Sequence, residues 1–348
     1  MSKRLTNLTP AAKDGMAVAS RPSRAARRGS VSPTLVLVGL ALFVAAGLAI
    51  VLTLSPRESI QRLTAVAFSP DGRFVAAGDL NGSIEVWRLP ELKPEARLRL
   101  EGGGLAVLTF SPDSRVLAAA GRSVRLWNAA GWTFAREIGP PGVGYGTVRF
   151  SPDGRVLVTN NVSGRIEFWN AANGARERTL CCMAVSGDLA FSPDGARLAA
   201  GGNYPRLWEL ASGHEILRFV PTREPGFGAI TYSPDGGRVA TGSEDGTARI
   251  WQASTGQQLR ATSQQKDHVE SVAFKGAGKV LAFAVRKGAV VLWDTDSGAE
   301  QQVAPIATSN VAFSADGRWL GFAVPPVTLQ LWDATAGRMG PAAAFPAR

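Results

Sequence analysis

The sequence predicts an all-β fold, a seven-bladed β-propeller of four-stranded antiparallel blades, preceded by one transmembrane α-helix. Three observations predict it. A turn with the pattern aromatic-Ser-Pro-Asp-Gly-Arg recurs along the chain, a tryptophan closes an alternating run after each copy, and an uncharged apolar segment precedes the first copy. The repeat is about 40 residues long, which is the period of a propeller blade.

The repeated turn is the most regular feature of the sequence. Its proline favours a turn backbone, its aspartate can bond the backbone two residues on, and its glycine accepts a positive φ. Successive copies are 42, 40, 41, 41, 42 and 39 residues apart, counted between their leading aromatics. These aromatics are Phe68, Phe110, Phe150, Phe191, Tyr232, Phe274 and Phe313, of which Phe274 begins a degenerate copy. The turn is therefore predicted to join the first two strands of each blade.

A tryptophan follows each turn aromatic after 17 to 19 residues and ends a run of alternating apolar residues, which predicts a strand. The seven are Trp87, Trp127, Trp169, Trp208, Trp251, Trp293 and Trp332. Here the chain resembles the WD40 family, whose blades end their third strand in Trp-Asp, as Trp293-Asp294 and Trp332-Asp333 do. The resemblance runs from about residue 63 to the C-terminus and implies a ring of seven blades.

Two features of that family are weak in this chain. The resemblance implies a Gly-His pair, whose histidine joins a buried tetrad with a Ser or Thr, a second-turn aspartate and the tryptophan. The two histidines, His214 and His268, lie elsewhere, and the aspartate is clear only at Asp245. We therefore expect the tetrads to be missing and apolar packing between blades to hold the ring together. A related propeller family with the same turn is the alternative.

The chain before the repeats divides into three parts. Residues 1–33 are polar and basic without a sustained period, which predicts a disordered tail. Residues 34–54 are uncharged and apolar, and a helix of that length spans about 31 Å, close to a hydrocarbon core of about 30 Å. Residues 55–62 are a linker, and the propeller occupies 63–348. A cleaved signal peptide is the alternative, although its apolar core is normally about 7–15 residues.

The charges beside the apolar segment predict its orientation. Four arginines lie within residues 21–28, whereas only Arg57 and Arg62 follow the segment closely. Positive residues stay on the cytoplasmic side of a membrane. The sequence therefore predicts a single-pass protein of the cell membrane with a cytoplasmic N-terminus and an extracytoplasmic propeller. A twin-arginine export signal at Arg27-Arg28 is a weaker alternative, because the residues after the pair continue that signal poorly.

The net charge of +10 does not predict a nucleic-acid partner when the positions of the charged residues along the chain are considered. Residues 1–54 hold seven of the 38 basic residues and one of the 28 acidic ones, so the propeller region carries an excess of only four. A dispersed excess of that size is weak evidence for binding nucleic acid. We therefore expect no nucleic-acid partner.

Charged residues recur in the turns, but their placement favours structure over chemistry. The aspartates Asp71, Asp113, Asp153, Asp194, Asp235 and Asp316 hold the same place in each repeat, which favours turn capping over a metal site. Basic residues follow them at Arg73, Arg115, Arg155, Arg197, Arg238, Lys279 and Arg318, and local ion pairing is favoured over a ring that binds anions.

An enzyme of this architecture would need acidic residues on the innermost strands, where only Asp188 and Glu270 stand out. We therefore expect no catalytic residues, no metal and no cofactor. The function predicted is a membrane-anchored scaffold that binds other proteins, with partners unknown and the membrane reached through residues 34–54. The alternative is an extracytoplasmic propeller enzyme, or one that binds a small ligand in its central channel.

One candidate binding surface lies on the face opposite the Ser-Pro-Asp turns. Loops of three neighbouring blades place Tyr145, Tyr204, Arg223 and Phe227 there. Aromatic residues and arginine are enriched at interface hot spots. We expect these four residues to form a partner-binding patch. The alternative is that the aromatics fold back and cover blade edges.

Ring closure is the last expectation. Many WD40 rings close by an N-terminal strand that completes the last blade. Here residues 334–348 are long enough to supply a fourth strand near 339–345. We expect blade 7 to be built wholly from C-terminal residues.

Overall fold

The computed structural model describes residues 63–105, 107–180, 187–220, 226–325 and 327–345. These residues form seven four-stranded antiparallel sheets, each built from four consecutive strands. The predicted propeller is therefore confirmed. The predicted tail, membrane span and linker, residues 1–62, lie outside the described part of the chain. Within that part no helix is long and apolar enough to cross a membrane.

The blades are numbered along the chain, and each runs from its innermost strand to its outermost. The strands are β1 Leu63–Phe68, β2 Phe74–Asp79, β3 Ser83–Arg88 and β4 Lys93–Arg99; β5 Val107–Phe110, β6 Val116–Ala120, β7 Val124–Asn128 and β8 Thr133–Ile138; β9 Tyr145–Phe150, β10 Val156–Asn161, β11 Ile166–Asn170 and β12 Arg176–Leu180; β13 Leu189–Phe191, β14 Arg197–Ala200, β15 Arg206–Glu209 and β16 Glu215–Arg218; β17 Phe227–Tyr232, β18 Arg238–Ser243, β19 Ala248–Gln252 and β20 Gln258–Ala261; β21 Val269–Lys275, β22 Val280–Val285, β23 Val290–Asp294 and β24 Glu300–Ala304; β25 Val311–Phe313, β26 Trp319–Val324, β27 Thr328–Asp333 and β28 Arg338–Ala344.

The Ser-Pro-Asp turns are closed by one repeated set of hydrogen bonds. In blade 3, Ser151 Oγ donates to Asp153 Oδ1 at 2.6 Å, and the backbone N–H of Arg155 donates to the same oxygen at 3.1 Å. Gly154 follows with a φ of 73°, which glycine adopts at little cost. The Ser–Asp bond recurs at 2.5–2.6 Å in blades 1, 2, 4, 5 and 7. The predicted turn-capping role of these aspartates is confirmed.

Apolar packing joins the blades, as expected. Seven clusters of buried side chains each span two adjacent blades, one cluster at every junction of the ring. Between blades 7 and 1, for example, Val66 and Val75 pack with Leu329 and Leu331. Burial of this kind stabilises by about 25 cal/mol for each Å² removed from water.

The polar tetrads are reduced to pairs in two blades. Two of the four members survive in two blades. The indole N–H of Trp169 donates to Thr159 Oγ1 at 3.0 Å, and that of Trp251 donates to Thr241 Oγ1 at 2.8 Å. The threonine stands on the second strand, where blade 2 instead has Ala119, which offers no acceptor. A threonine at this position is visible in the sequence and would have identified both pairs.

Blade 7 consists of β25 to β28, all from the C-terminal part of the chain, which confirms the predicted origin of its outer strand. The innermost strands contact one another around the ring, and β25 meets β1. At this seam the backbone N–H of Val66 donates to Asn310 Oδ1 at 3.2 Å, and Ser309 Oγ lies 3.5 Å from the carbonyl oxygen of Leu63. Side chains from blade 7 thus bond the backbone of blade 1.

Candidate functional site

Two of the aromatic residues predicted to form the partner-binding patch are buried. Tyr145 is 2% exposed and Phe227 is 1% exposed. The prediction that they are presented to partners is wrong because each begins an innermost strand, paired with Asn161 and Ser243 respectively, instead of lying in a loop. The ring of Phe227 lies edge-on to Trp251 at 6.2 Å. Both aromatics therefore cover blade edges, which is the alternative stated above.

The hydroxyl of Tyr145 lies 3.4 Å from the carbonyl oxygen of Pro140, and burial, with a smaller contribution from Glu167, raises its pKa to about 12. Tyr204 is half-buried in the turn between β14 and β15, and Arg223 lies outside the described residues.

The central channel encloses a cavity of about 990 Å³, lined by the innermost strands. Three carboxylates line it, Asp188, Glu244 and Glu270, and the first and last lie near an arginine. Asp188 accepts a 2.6 Å bond from Thr147 Oγ1 and also pairs with Arg149, while Glu270 lies 3.8 Å from Arg286. Among the described residues, no group of three or more His, Cys, Asp or Glu side chains is arranged to hold a metal ion.

The basic residues after the turns do not form a uniform ring. Three pair with the aspartate of their own turn, as expected: Arg73 with Asp71 at 2.6 Å, Arg115 with Asp113 at 3.9 Å and Arg155 with Asp153 at 4.0 Å. Arg238 differs, because it begins β18 one position later in its repeat, and it pairs with Asp296 of blade 6 at 3.2 Å. Arg197 likewise begins β14.

A second repeated position lies on the same face as these turns. The loop between the third and fourth strands of each blade has a residue, five after the tryptophan, with a positive φ in all seven blades. Five of these residues are glycines: Gly174, Gly213, Gly256, Gly298 and Gly337. The other two are Leu92 and Trp132, with φ of 53° and 55°. A left-handed backbone costs about 1–2 kcal/mol at a residue with a side chain, so these two positions are strained.

Both large side chains fill the junction with the preceding blade. The ring of Trp132 lies 5.1 Å from that of Phe74 and 6.4 Å from that of Phe110, edge-on to both, and so closes the contact between blades 1 and 2. Leu92 is buried against Val75 and Trp319 at the contact between blades 7 and 1. We call these contacts junction 1/2 and junction 7/1.

Two other junctions are open. Junction 3/4 contains a groove of about 700 Å³ and junction 2/3 one of about 630 Å³. In junction 3/4 the walls are Val156, Phe168, Phe191 and Leu210, and carboxylates stand at the rim. Gly213 occupies the position that Trp132 fills in junction 1/2. These grooves were missed from the sequence, although Trp132 and Leu92 stand out among glycines at this repeated position.

Comparison with known proteins agrees with this architecture. A family model described as "WD domain, G-beta repeat" matches residues 51–88 and 224–252. These segments include parts of blades 1 and 5, and both contain a turn-to-tryptophan unit of the kind described above.

Individual relatives are distant and mostly longer. Telomerase protein component 1 of Rattus norvegicus is 27% identical over 253 residues, which are 70% of this chain and 8% of that protein. A guanine nucleotide-binding protein subunit beta of Oryza sativa subsp. japonica is 24% identical over 155 residues, 40% of this chain and 41% of that protein. Its counterpart in Solanum tuberosum is 23% identical over 243 residues, 66% of this chain and 56% of that protein. The chain thus spans less than half the length of the first two relatives.

Proposed function

We propose that this chain, which belongs to the WD40-repeat family, is a membrane-anchored scaffold whose propeller binds protein partners on the extracytoplasmic side. The observation that carries the proposal is the closed ring of seven blades joined by continuous apolar clusters. Such a ring holds many loops in fixed positions on two faces. Preorganised surfaces lose less conformational entropy on binding, which favours a role in protein recognition.

The names of the relatives support the same role. One is named as a component and another as a subunit, so each takes part in an assembly by its printed name. Propellers of this family are typical interaction scaffolds. A scaffold is favoured over an enzyme here because Asp188 and Glu270, two of the three carboxylates that line the channel, each lie within ion-pair distance of an arginine.

The membrane part of the proposal rests on the sequence. Residues 34–54 are long enough to span a bilayer, and the arginines before them favour a cytoplasmic N-terminus. Two reporters fused after Arg348 test this orientation, one active only in the cytoplasm and one active only after export. Activity of the exported reporter alone is expected. Activity of the cytoplasmic reporter alone would reverse the orientation.

Affinity purification tests the scaffold role. The full chain, tagged at its C-terminus, is recovered from detergent-solubilised membranes of its own host, and bound proteins are quantified by mass spectrometry. The control is a chimera that keeps residues 1–62 and carries an unrelated folded domain in place of the propeller. We expect at least one protein to be recovered in near-equal amount with the full chain and not with the chimera. Equal recovery from both would show that the propeller is not a scaffold.

A further inference from the structure

We propose that the groove in junction 3/4 is a docking site for a protein segment that inserts a tryptophan flanked by lysine or arginine. This inference rests on the proposed scaffold function and specifies where and how one partner binds. Three observations carry it: the filled counterpart of the groove in junction 1/2, the apolar walls of the open groove, and the carboxylates at its rim.

Junction 1/2 shows what side chain the groove accepts. There Trp132 packs edge-on between Phe74 and Phe110. Phe74 is the first residue of the second strand of its blade, and Phe110 is the last residue of the first strand of the next. The corresponding residues of junction 3/4 are Val156 and Phe191. The wall that contacts the indole is therefore retained, with one aromatic reduced to valine.

The open groove has room for the inserted side chain. Gly213 stands where junction 1/2 has the tryptophan. The volume of the groove, about 700 Å³, lies within the range of ligand-binding pockets. Phe168 is buried at its base, while Val156, Phe191 and Leu210 are half-buried. Apolar surface that is partly exposed on the free propeller would be buried by a partner.

The charges at the rim select the neighbours of that tryptophan. Asp153, Glu177 and Asp194 stand around the groove with Arg178. Because Asp153 also pairs with Arg155 at 4.0 Å, the excess at the rim is one negative charge. The guanidinium of Arg178 is already engaged, because it donates to the carbonyl oxygen of Leu210 at 2.5 Å and lies 4.5 Å above the ring of Phe168. The net negative rim is complementary to a basic segment.

One carboxylate has a counterpart beside the indole of Trp132. Glu95 occupies in blade 1 the position of Glu177 in blade 3, eight residues after the tryptophan of its blade. Its carboxylate accepts two bonds from Arg88, at 2.7 and 3.0 Å, while the indole nitrogen of Trp132 has no hydrogen-bond partner. Glu177 instead accepts a bond from the neutral side chain of Asn170 at 2.8 Å, so its charge can meet an incoming cation.

Selection from a library of displayed twelve-residue random peptides tests the inference. The target is the full chain in lipid nanodiscs, and the counter-target is the Gly213→Trp variant, in which the groove is filled from within as in junction 1/2. Peptides that prefer the unchanged chain are expected to contain a tryptophan with two or more lysines or arginines nearby. Their binding should weaken about tenfold or more in Gly213→Trp, because a buried aromatic anchor is lost.

Further variants distinguish binding in the groove from indirect effects of a substitution on the rest of the propeller. Val156→Phe restores the aromatic that packs against the indole in junction 1/2 and should strengthen binding several-fold, an effect that misfolding would not produce. Glu177→Gln should weaken binding several-fold at low salt, whereas Glu95→Gln should not change it. Gly337→Trp, the same substitution in blade 7 with no atom within 4 Å of its added Cβ, should also have no effect.

Several outcomes would overturn the inference. One is that no selected peptide distinguishes the unchanged chain from Gly213→Trp. Another is that the distinguishing peptides lack an aromatic residue or are acidic. A partner found by affinity purification that binds Gly213→Trp as well as the unchanged chain would also overturn it, while leaving the scaffold function intact. If the unchanged chain recovers no partner in the affinity purification, the scaffold function itself is contradicted.

Discussion

Junction 1/2 and junction 3/4 are built from equivalent strands, turns and loops, yet one is sealed and the other is open. The difference lies mainly in one position of the loop between the third and fourth strands, Trp132 in the first and Gly213 in the second. Both residues have a left-handed backbone. The comparison teaches that side chains on a repeated backbone frame decide whether these two junctions are filled, and that the residue that fills junction 1/2 is strained.

The largest expected effect is loss of the seal. Trp132→Ala should lower the free energy of unfolding by about 3 kcal/mol, because it removes the indole from Phe74 and Phe110 and leaves a gap. The measurement is denaturant unfolding of the detergent-solubilised full chain, followed by circular dichroism. Phe134→Ala, two residues away and 55% exposed, is the matched control and should change stability by less than about 0.5 kcal/mol. Equal losses in the two variants would mean that Trp132 does not seal the junction.

The next effect tests whether polar pairs within a blade matter as much as the seal. Thr241→Val keeps the shape of the side chain and leaves the indole N–H of Trp251 buried without its acceptor, which should cost about 1–2 kcal/mol. Thr231→Val is the control, because its hydroxyl is half-buried and its bond to Tyr232 is long at 3.4 Å. A loss larger than that of Trp132→Ala would place the main stabilisation inside the blades.

A third variant separates the strain from the packing in junction 1/2. Trp132→Gly should be about 1 kcal/mol more stable than Trp132→Ala, although alanine is normally the better tolerated residue. Both variants lose the indole, but only glycine relieves the left-handed backbone at this position. Unfolding of the two proteins side by side measures the difference. If alanine is the more stable, the loop changes its backbone when the tryptophan is removed, and the frame is not constant.

The smallest effect should be the same in open and sealed junctions. The Ser151 hydroxyl, followed by the Arg155 backbone N–H, lowers the pKa of Asp153 below its ordinary value of 3.8. Its stabilising contribution is therefore complete above the unfolded pKa and is lost as the pH falls through the lower folded pKa. Between pH 5 and pH 2 the free energy of unfolding should therefore fall less in Asp153→Asn than in the unchanged chain. The difference should be only about 0.5 kcal/mol, because the carboxylate is largely exposed.

Asp71 provides the comparison for this last variant, because it lies in a turn next to the sealed junction 1/2. Burial is the largest single influence on its pKa and raises it. The bonds from the Ser69 hydroxyl and from Arg73 together exceed that effect, so the pKa of Asp71 is also lowered. Asp71→Asn should therefore change the acid dependence in the same direction and by a similar amount. Opposite directions would show that the seal alters the turns.

The general plan of the fold could be predicted from local signals. The turn sequence identified six blades and the tryptophan 17 to 19 residues after each turn aromatic identified all seven, because each signal depends on nearby residues only. The outer strand of blade 7 followed from the length of chain after Trp332. The Thr–Trp pairs were missed, although the threonine is visible in the sequence, because the expectation was framed around the absent histidine.

The candidate site was harder to predict, for a physical reason. Whether Tyr145 faces solvent depends on where the first strand of blade 3 begins, and a shift of one residue along a strand turns a side chain to the other face. The groove in junction 3/4 depends on side chains from two blades about 40 residues apart. Its existence follows from comparing Gly213 with Trp132, which requires the left-handed backbone to be seen in both.

The origin of blade 7 in consecutive C-terminal strands bears on how the molecule is made. Since each described blade pairs only strands that follow one another, all four strands of a blade can pair as soon as its own segment has left the ribosome. Synthesis then adds finished units in order, from blade 1 to blade 7. The contact between blades 7 and 1 must wait for both ends of the ring, because there the backbone N–H of Val66 donates to Asn310 and its side chain packs against Leu329.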